Sequence, residues 1–203
     1  VLNLPSMLLY FSALVMLPIE KVTAISFVVP FFVTILAVLF LGEKIYIYRT
    51  LALVLGFIGM IVILRPGIIN ISIGVYMALA SSLMWSVVII ITKSIAKDDS
   101  SITILSYGYT IMTILSFIIV LFYWQTPGLQ TLIYLFFAGL SGTLLHLCIN
   151  HAYKLVDVSM TQPYSFLSLV FASLVGYFVF SEKPDLFTWI GASIIFLGVF
   201  IMS

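Results

Sequence analysis

The chain has 203 residues, of which 64% are apolar and only 7% charged, with a formal net charge of +1. A soluble domain carries roughly 25% charged residues, and eight Lys/Arg with seven Asp/Glu cannot coat a water-facing surface of this size. The mean hydropathy of +1.32 makes lipid the solvent for most of the surface. Near-neutral charge excludes a nucleic-acid binder, which needs clustered Lys/Arg on phosphates, and the single cysteine, Cys148, excludes a disulfide framework or a cysteine-ligated metal centre.

The charges are bunched at Glu20-Lys21, Glu43-Lys44-Arg49, Arg65, Lys93-Lys97-Asp98-Asp99, Lys154-Asp157 and Glu182-Lys183-Asp185. The uncharged runs between them match the ~20 residues that a helix needs to cross ~30 Å of hydrocarbon. They are continuously apolar, whereas barrel strands would alternate over ~10 residues. The expected fold class is therefore all-α: a polytopic membrane helix bundle of about 8 transmembrane helices, over 1–18, 22–41, 46–64, 71–92, 102–124, 129–152, 159–180 and 187–203.

The first segment has no charge before Glu20 and no small-residue cleavage site, so it reads as a span and not a signal peptide. Pro30 lies deep in the second and is expected to kink it. Ala52-Gly56 in the third is a small pair suited to close helix packing. Polar stripes run along Ser81-Ser82-Trp85 in the fourth and Thr103-Ser106-Tyr107-Thr110-Thr113 in the fifth. Gln125-Thr126-Pro127-Gly128 then marks a turn.

In the sixth span Thr143, His146 and Asn150 fall on one helix face. His146 reads either as a substrate or proton contact, since histidine titrates near physiological pH, or as a neutral side chain bonded to a neighbouring helix. His151 reads as interfacial, and Gly139-Gly142 as a second close-packing pair. The seventh span opens with Thr161-Gln162-Pro163-Tyr164-Ser165, where the proline either starts the helix or breaks it to expose backbone carbonyls to a ligand. Thr161, Ser165, Ser168, Ala172 and Gly176 continue as a small-residue stripe, read as a packing seam.

Tyr46, Tyr48, Tyr123, Trp124 and Trp189 gather at span ends as interfacial anchors. Five Lys/Arg on one set of loops against three on the other favour cytoplasmic termini. No Asp, Glu, Lys or Arg falls at mid-membrane depth, so neutral polar groups and rings carry the recognition. Candidate substrate-binding residues are His146, Asn150, Thr143, Trp85, Tyr107, Tyr164 and Gln162, with Trp85, Tyr107 and Tyr164 suited to a cationic or flat substrate. No nucleophile–base pair, metal-ligand cluster or phosphate loop occurs at useful spacing; no catalytic residue, metal or cofactor is expected, and nucleotide-driven transport is disfavoured.

Sliding the chain by 139 residues aligns Ser26-Phe27 with Ser165-Phe166, Phe32 with Phe171, Glu43-Lys44 with Glu182-Lys183, Phe57 with Phe196 and Gly59 with Gly198. The chain crosses the membrane an odd number of times between the copies, which inverts the second, as in secondary transporters. The repeats divide the chain into 1–67 and 70–203. Glu182 lies about 112 residues into the second copy and Glu43 only 43 into the first, so roughly 70 residues, two spans with their loops, are expected to be absent from the first.

Pro18, Thr23-Ala24, Pro30, Leu41-Gly42-Glu43, Gly56-Phe57-Ile58-Gly59 and Arg65-Pro66-Gly67 resemble the end of the first EamA-type domain in the drug/metabolite transporter superfamily. The stretch from Tyr153 to Met202 resembles the end of the second. The resemblance covers essentially the whole chain and is nearest to members that take up S-adenosylmethionine or other metabolites in alphaproteobacteria. It implies an inverted-repeat transporter lacking the first two helices of a ten-helix fold, in a bacterial inner membrane, moving a small organic metabolite by alternating access. Its implied partners are the lipid bilayer and a small-molecule substrate. A homodimer, and missing N-terminal helices supplied in trans, are both left open. The alternatives are a non-functional or partner-dependent remnant and, more remotely, an intramembrane enzyme using His146 with Asn150 and Tyr107.

Overall fold

A computed structural model of the protein describes residues 2–65, 72–122, 124–180 and 185–202. In chain order these form α1 (Asn3–Met16), α2 (Ile19–Ser26), α3 (Val29–Leu41), α4 (Ile47–Leu64), α5 (Ile73–Ile95), α6 (Ser101–Val120) and α7 (Leu129–Leu155). Then come α8 (Val158–Thr161), a 3₁₀ turn (Gln162–Phe166), α9 (Leu167–Phe180) and α10 (Leu186–Met202). No strand occurs among the described residues, so the all-helical expectation holds. Glu182-Lys183, Pro66-Gly67 and Tyr123, used in the sequence reading, lie outside the described residues.

Among the described residues six spans are long and apolar enough to cross a membrane: Lys21–Leu41, Ile47–Leu64, Ile73–Ile95, Ser101–Val120, Leu129–Leu155 and Val158–Phe178. The two outer predicted spans form shorter apolar helices, Asn3–Met16 and Leu186–Ile201. The helices end on local chemistry. Gly42 takes the left-handed conformation (φ 67°) that stops α3, its amide reaching back to the Ala37 carbonyl. Ser100 caps α6 by accepting the Thr103 N–H at 3.0 Å.

Two predicted spans are broken rods. The 22–41 span divides at Phe27-Val28, so Pro30 sits in the first turn of α3, where its missing N–H costs no helical bond. The 159–180 span divides at the 3₁₀ turn holding Pro163. The two breaks meet: Phe27 stacks on Phe166, centroids 5.3 Å apart and planes at 17°. These rings are related by the 139-residue spacing seen in the sequence.

α4 and α10 pack through glycines. A Cβ on Gly59 would lie 2.7 Å from the Gly191 carbonyl oxygen, and one on Gly191 would lie 2.7 Å from that of Gly59. A Cβ on Gly198 would meet the Ala52 carbonyl oxygen at 3.1 Å, so the close-packing expectation for Ala52-Gly56 fits. α1 and α5 are joined by reciprocal bonds: the Ser6 hydroxyl donates to the Ser81 carbonyl at 3.0 Å, and the Ser81 hydroxyl to the Ser6 carbonyl at 2.8 Å. The expected seam along Thr161, Ser165, Ser168, Ala172 and Gly176 does not form as one face. Ser165 and Ser168 are exposed and donate back to the Gln162 and Ser165 carbonyls.

At the end of α4, Arg65 (φ 41°) pairs with Asp185 and lays its guanidinium 3.8 Å from the centroid of the Phe187 ring. The Thr188 backbone N–H, the Arg65 guanidinium and the Thr188 hydroxyl all favour the Asp185 carboxylate and hold its pKa down to about 2. A carboxyl whose pKa falls on folding adds stability that is complete above its unfolded value and disappears as pH drops through the folded one. The thermal midpoint is therefore expected to decline from about pH 4 to about pH 2 more steeply than in Asp185→Asn, as pH-resolved unfolding in detergent would show.

Candidate functional site

α6 presents Tyr109, Met112, Thr113 and Ser116 at i, i+3, i+4 and i+7, and α7 presents Gly139, Gly142, Thr143 and His146 at the same spacing. With Met7 of α1 these faces line a broadly open groove of about 500 Å³, a volume within the range of small-molecule sites. No Asp, Glu, Lys or Arg lines it among the described residues. His146 stands edge-on to two rings, with centroids 6.2 Å from Trp85 of α5 and 6.3 Å from Tyr109. Thr143 donates to the Gly139 carbonyl at 2.8 Å and Ser116 to the Met112 carbonyl at 2.7 Å, so their hydroxyl oxygens remain available as acceptors.

A second concavity, about 420 Å³, runs along α10 between Ser193 and Phe200. It is an open apolar surface whose one hydroxyl, Ser193, donates to its own helix at the Trp189 carbonyl. It is an open apolar furrow that brings no polar groups together.

Of the seven sequence candidates, Thr143 and His146 line the α6–α7 groove, and Trp85 stands against His146 without lining it. Tyr107 is 70% exposed on another face of α6, and Tyr109 lines the cavity instead. Tyr164 is exposed on the 3₁₀ turn. Gln162 is buried away from the cavity, its amide donating to the Val158 carbonyl and the Thr161 hydroxyl at 3.0 Å each. Asn150, one turn beyond His146, is buried and does not line the cavity. Gly139 and Gly142 depart from the close-packing expectation: nothing lies within 4 Å of a Cβ at either, and their missing side chains leave space. Of the residues not singled out from sequence, Tyr109, Met112 and Ser116 had one available signal, their i, i+3, i+7 spacing along α6, and Met7 of α1 had none.

A charge-poor helical bundle with six long apolar helices among its described residues is that of a multi-pass membrane protein. The chain belongs to the EamA-like transporter family, which it matches over residues 1–65 and 72–203. It is 35% identical over 178 residues to an S-adenosylmethionine uptake transporter of Rickettsia felis, covering 88% of this chain and 60% of that protein. It is 31% identical over 183 residues to a riboflavin transporter of Vibrio cholerae, covering 90% and 61% respectively. The chain thus spans about three-fifths of the length of these curated relatives. A crystal structure of another protein superposes with a TM-score of 0.85 at 18% identity, over 98% of this chain and 70% of that one, and shares the fold. Family and relatives are transporters by name, which sets aside the enzyme reading of His146.

Proposed function

We propose that the chain forms most of a secondary transporter that moves a small organic metabolite by alternating access. In this reading it crosses a bacterial inner membrane eight times, with both termini cytoplasmic. The observation that carries it is the charge-free cavity around His146. Such a site holds a ligand by ring contacts and neutral hydrogen bonds, because no carboxylate or ammonium lines it among the described residues. The molecules in the relatives' names share a flat, nitrogen-containing fused ring, which suits an opening flanked by Trp85, Tyr109 and His146. The inverted-repeat reading is supported by the Phe27–Phe166 stack and by the glycine crossing of α4 and α10. In that crossing the pair Gly59 and Gly191 maps onto Gly198 and Ala52 under the 139-residue shift.

The test is equilibrium binding of S-adenosylmethionine and of riboflavin to the purified chain by titration calorimetry. Trp85→Ala and His146→Ala are each expected to weaken binding about three- to tenfold, the worth of one ring contact. Binding of neither molecule, or full binding by both variants, would sink the ring-recognition reading.

A second reading, in which helices of another chain complete the bundle, is favoured by α6, which has no buried residue. On α7 only Asn150 and Tyr153 are buried. Both helices therefore have apolar faces free for lipid or for further helices.

A further inference from the structure

Glu43 terminates the α3 region at a loop, and from the sequence it has only a helix-ending or anchoring role. Its carboxylate in fact reaches across 115 residues of chain. Oε1 accepts the Val158 N–H at 2.8 Å, and Oε2 accepts the Ser159 N–H at 3.0 Å and the Ser159 hydroxyl at 2.6 Å. Arg49 at the start of α4 joins them, its Nη1 donating to Asp157 Oδ2 and to Ser159 Oγ, each at 2.9 Å. Lys93, near the end of α5, donates from Nζ to the carbonyls of Tyr153 at 2.5 Å and Val156 at 2.6 Å. Arg49, Lys93 and Ser159 are buried, while Asp157 stays half in water. Directly against this cluster packs a dry core that includes Val33, Ala37, Ala96 and Val158.

We propose that this cluster is a releasable latch, the barrier that closes one end of the bundle. It holds the α7–α8 junction against α3, α4 and α5, and it must break for substrate to pass that face. The inference rests on the alternating-access reading. Three features distinguish a latch from a permanent staple. The bonds of Glu43 and Arg49 to Asp157 and to residues 158–159 join the two repeat halves, while those of Lys93 brace the α7–α8 junction within the second. It lies at loop depth, where water can replace each bond on opening. Finally, buried charge is a poor way to gain stability, since apolar side chains of similar volume do as well or better, whereas it does fix one arrangement against another. Loss of the Glu43 bonds shifts the balance toward the open form by their differential strength.

Two measurements decide it, both in a Cys148→Ser background in proteoliposomes. In the first, a cysteine replaces the fully buried Ala96 and its alkylation by a water-soluble maleimide is timed. Adding Glu43→Gln is expected to speed labelling about tenfold or more, and S-adenosylmethionine as probe is expected to change the rate when Glu43 is intact. In the second, Glu43→Cys and Ser159→Cys are bridged by a short reducible cross-linker. Bridging is expected to stop S-adenosylmethionine uptake, and reduction to restore it. Unchanged labelling in folded Glu43→Gln protein, or undiminished uptake by the bridged chain, would overturn the latch. If Glu43→Gln does not fold, the cross-link arm decides. If the unbridged protein shows no uptake, the transport reading fails on its own and the labelling arm still judges the latch.

Discussion

Gly59→Leu is expected to destabilise the bundle by about 3 kcal/mol or more, at the upper end of overpacking costs, and to leave little monodisperse protein in detergent. The reason is geometric. The first carbon of any side chain at Gly59 would lie 2.6 Å from Ile195 Cγ1 and 2.7 Å from the Gly191 carbonyl oxygen. A side chain can rotate aside, but a backbone oxygen moves only with its helix, so α4 and α10 must separate along the crossing that also buries Met60 and Ile195. Gly191→Leu meets the same obstacle from the other side. Gly108→Ala is the matched control: nothing lies within 4 Å of its Cβ, and alanine in a helix interior is expected to stabilise by about 0.5–1 kcal/mol. Thermal unfolding of the variants in one detergent gives the ordering directly.

The second large effect inverts the intuition that the buried partner matters more. Arg49 is buried and Asp157 half exposed, yet Asp157→Ala is expected to cost more than Arg49→Met. Removing Asp157 leaves a buried guanidinium whose Nε already has no partner and whose remaining acceptors are Ser159 Oγ and the Lys44 carbonyl. Stranding a buried charge costs about 3 kcal/mol or more. Arg49→Met removes the charge itself, keeps apolar volume and leaves Asp157 free to hydrate, for a loss of about 1.5–3 kcal/mol from charge-assisted hydrogen bonds. Chemical or thermal unfolding of the two variants settles the order. If Arg49→Met is the more damaging, the cluster is held by packing of the arginine stem and not by its charge.

What could be read in advance divides along physical lines. Span positions were legible because a charge is costly in hydrocarbon and so collects at helix ends; α4 ends at 64 beside Arg65, and α7 begins at 129 directly after the turn signal at 125–128. The breaks were half legible. Pro30 and Pro163 announce them, but that the first falls at Phe27-Val28 depends on where Phe27 meets Phe166, a contact between segments far apart in sequence. Phase on α6 was not legible. Two residues turn a helix by about 200°, so choosing Tyr107 or Tyr109 chooses opposite faces, and a helix with no buried residue offers no amphipathic stripe to fix the choice. Gly139 and Gly142 carried an ambiguous signal, since a small residue permits either a close neighbour or an empty space. Glu43 looked like a loop residue because all three of its bonds go to residues more than a hundred positions away.

The cavity around His146 as a transport path is the central claim, and uptake into proteoliposomes tests it most directly. Radiolabelled S-adenosylmethionine, with riboflavin as competitor, is measured against protein-free vesicles and against His146→Ala. The account predicts saturable, protein-dependent uptake that falls about three- to tenfold in kcat/KM when the ring is removed. Non-saturable entry equal to that of empty vesicles, or saturable uptake indifferent to His146→Ala and Trp85→Ala alike, would contradict it.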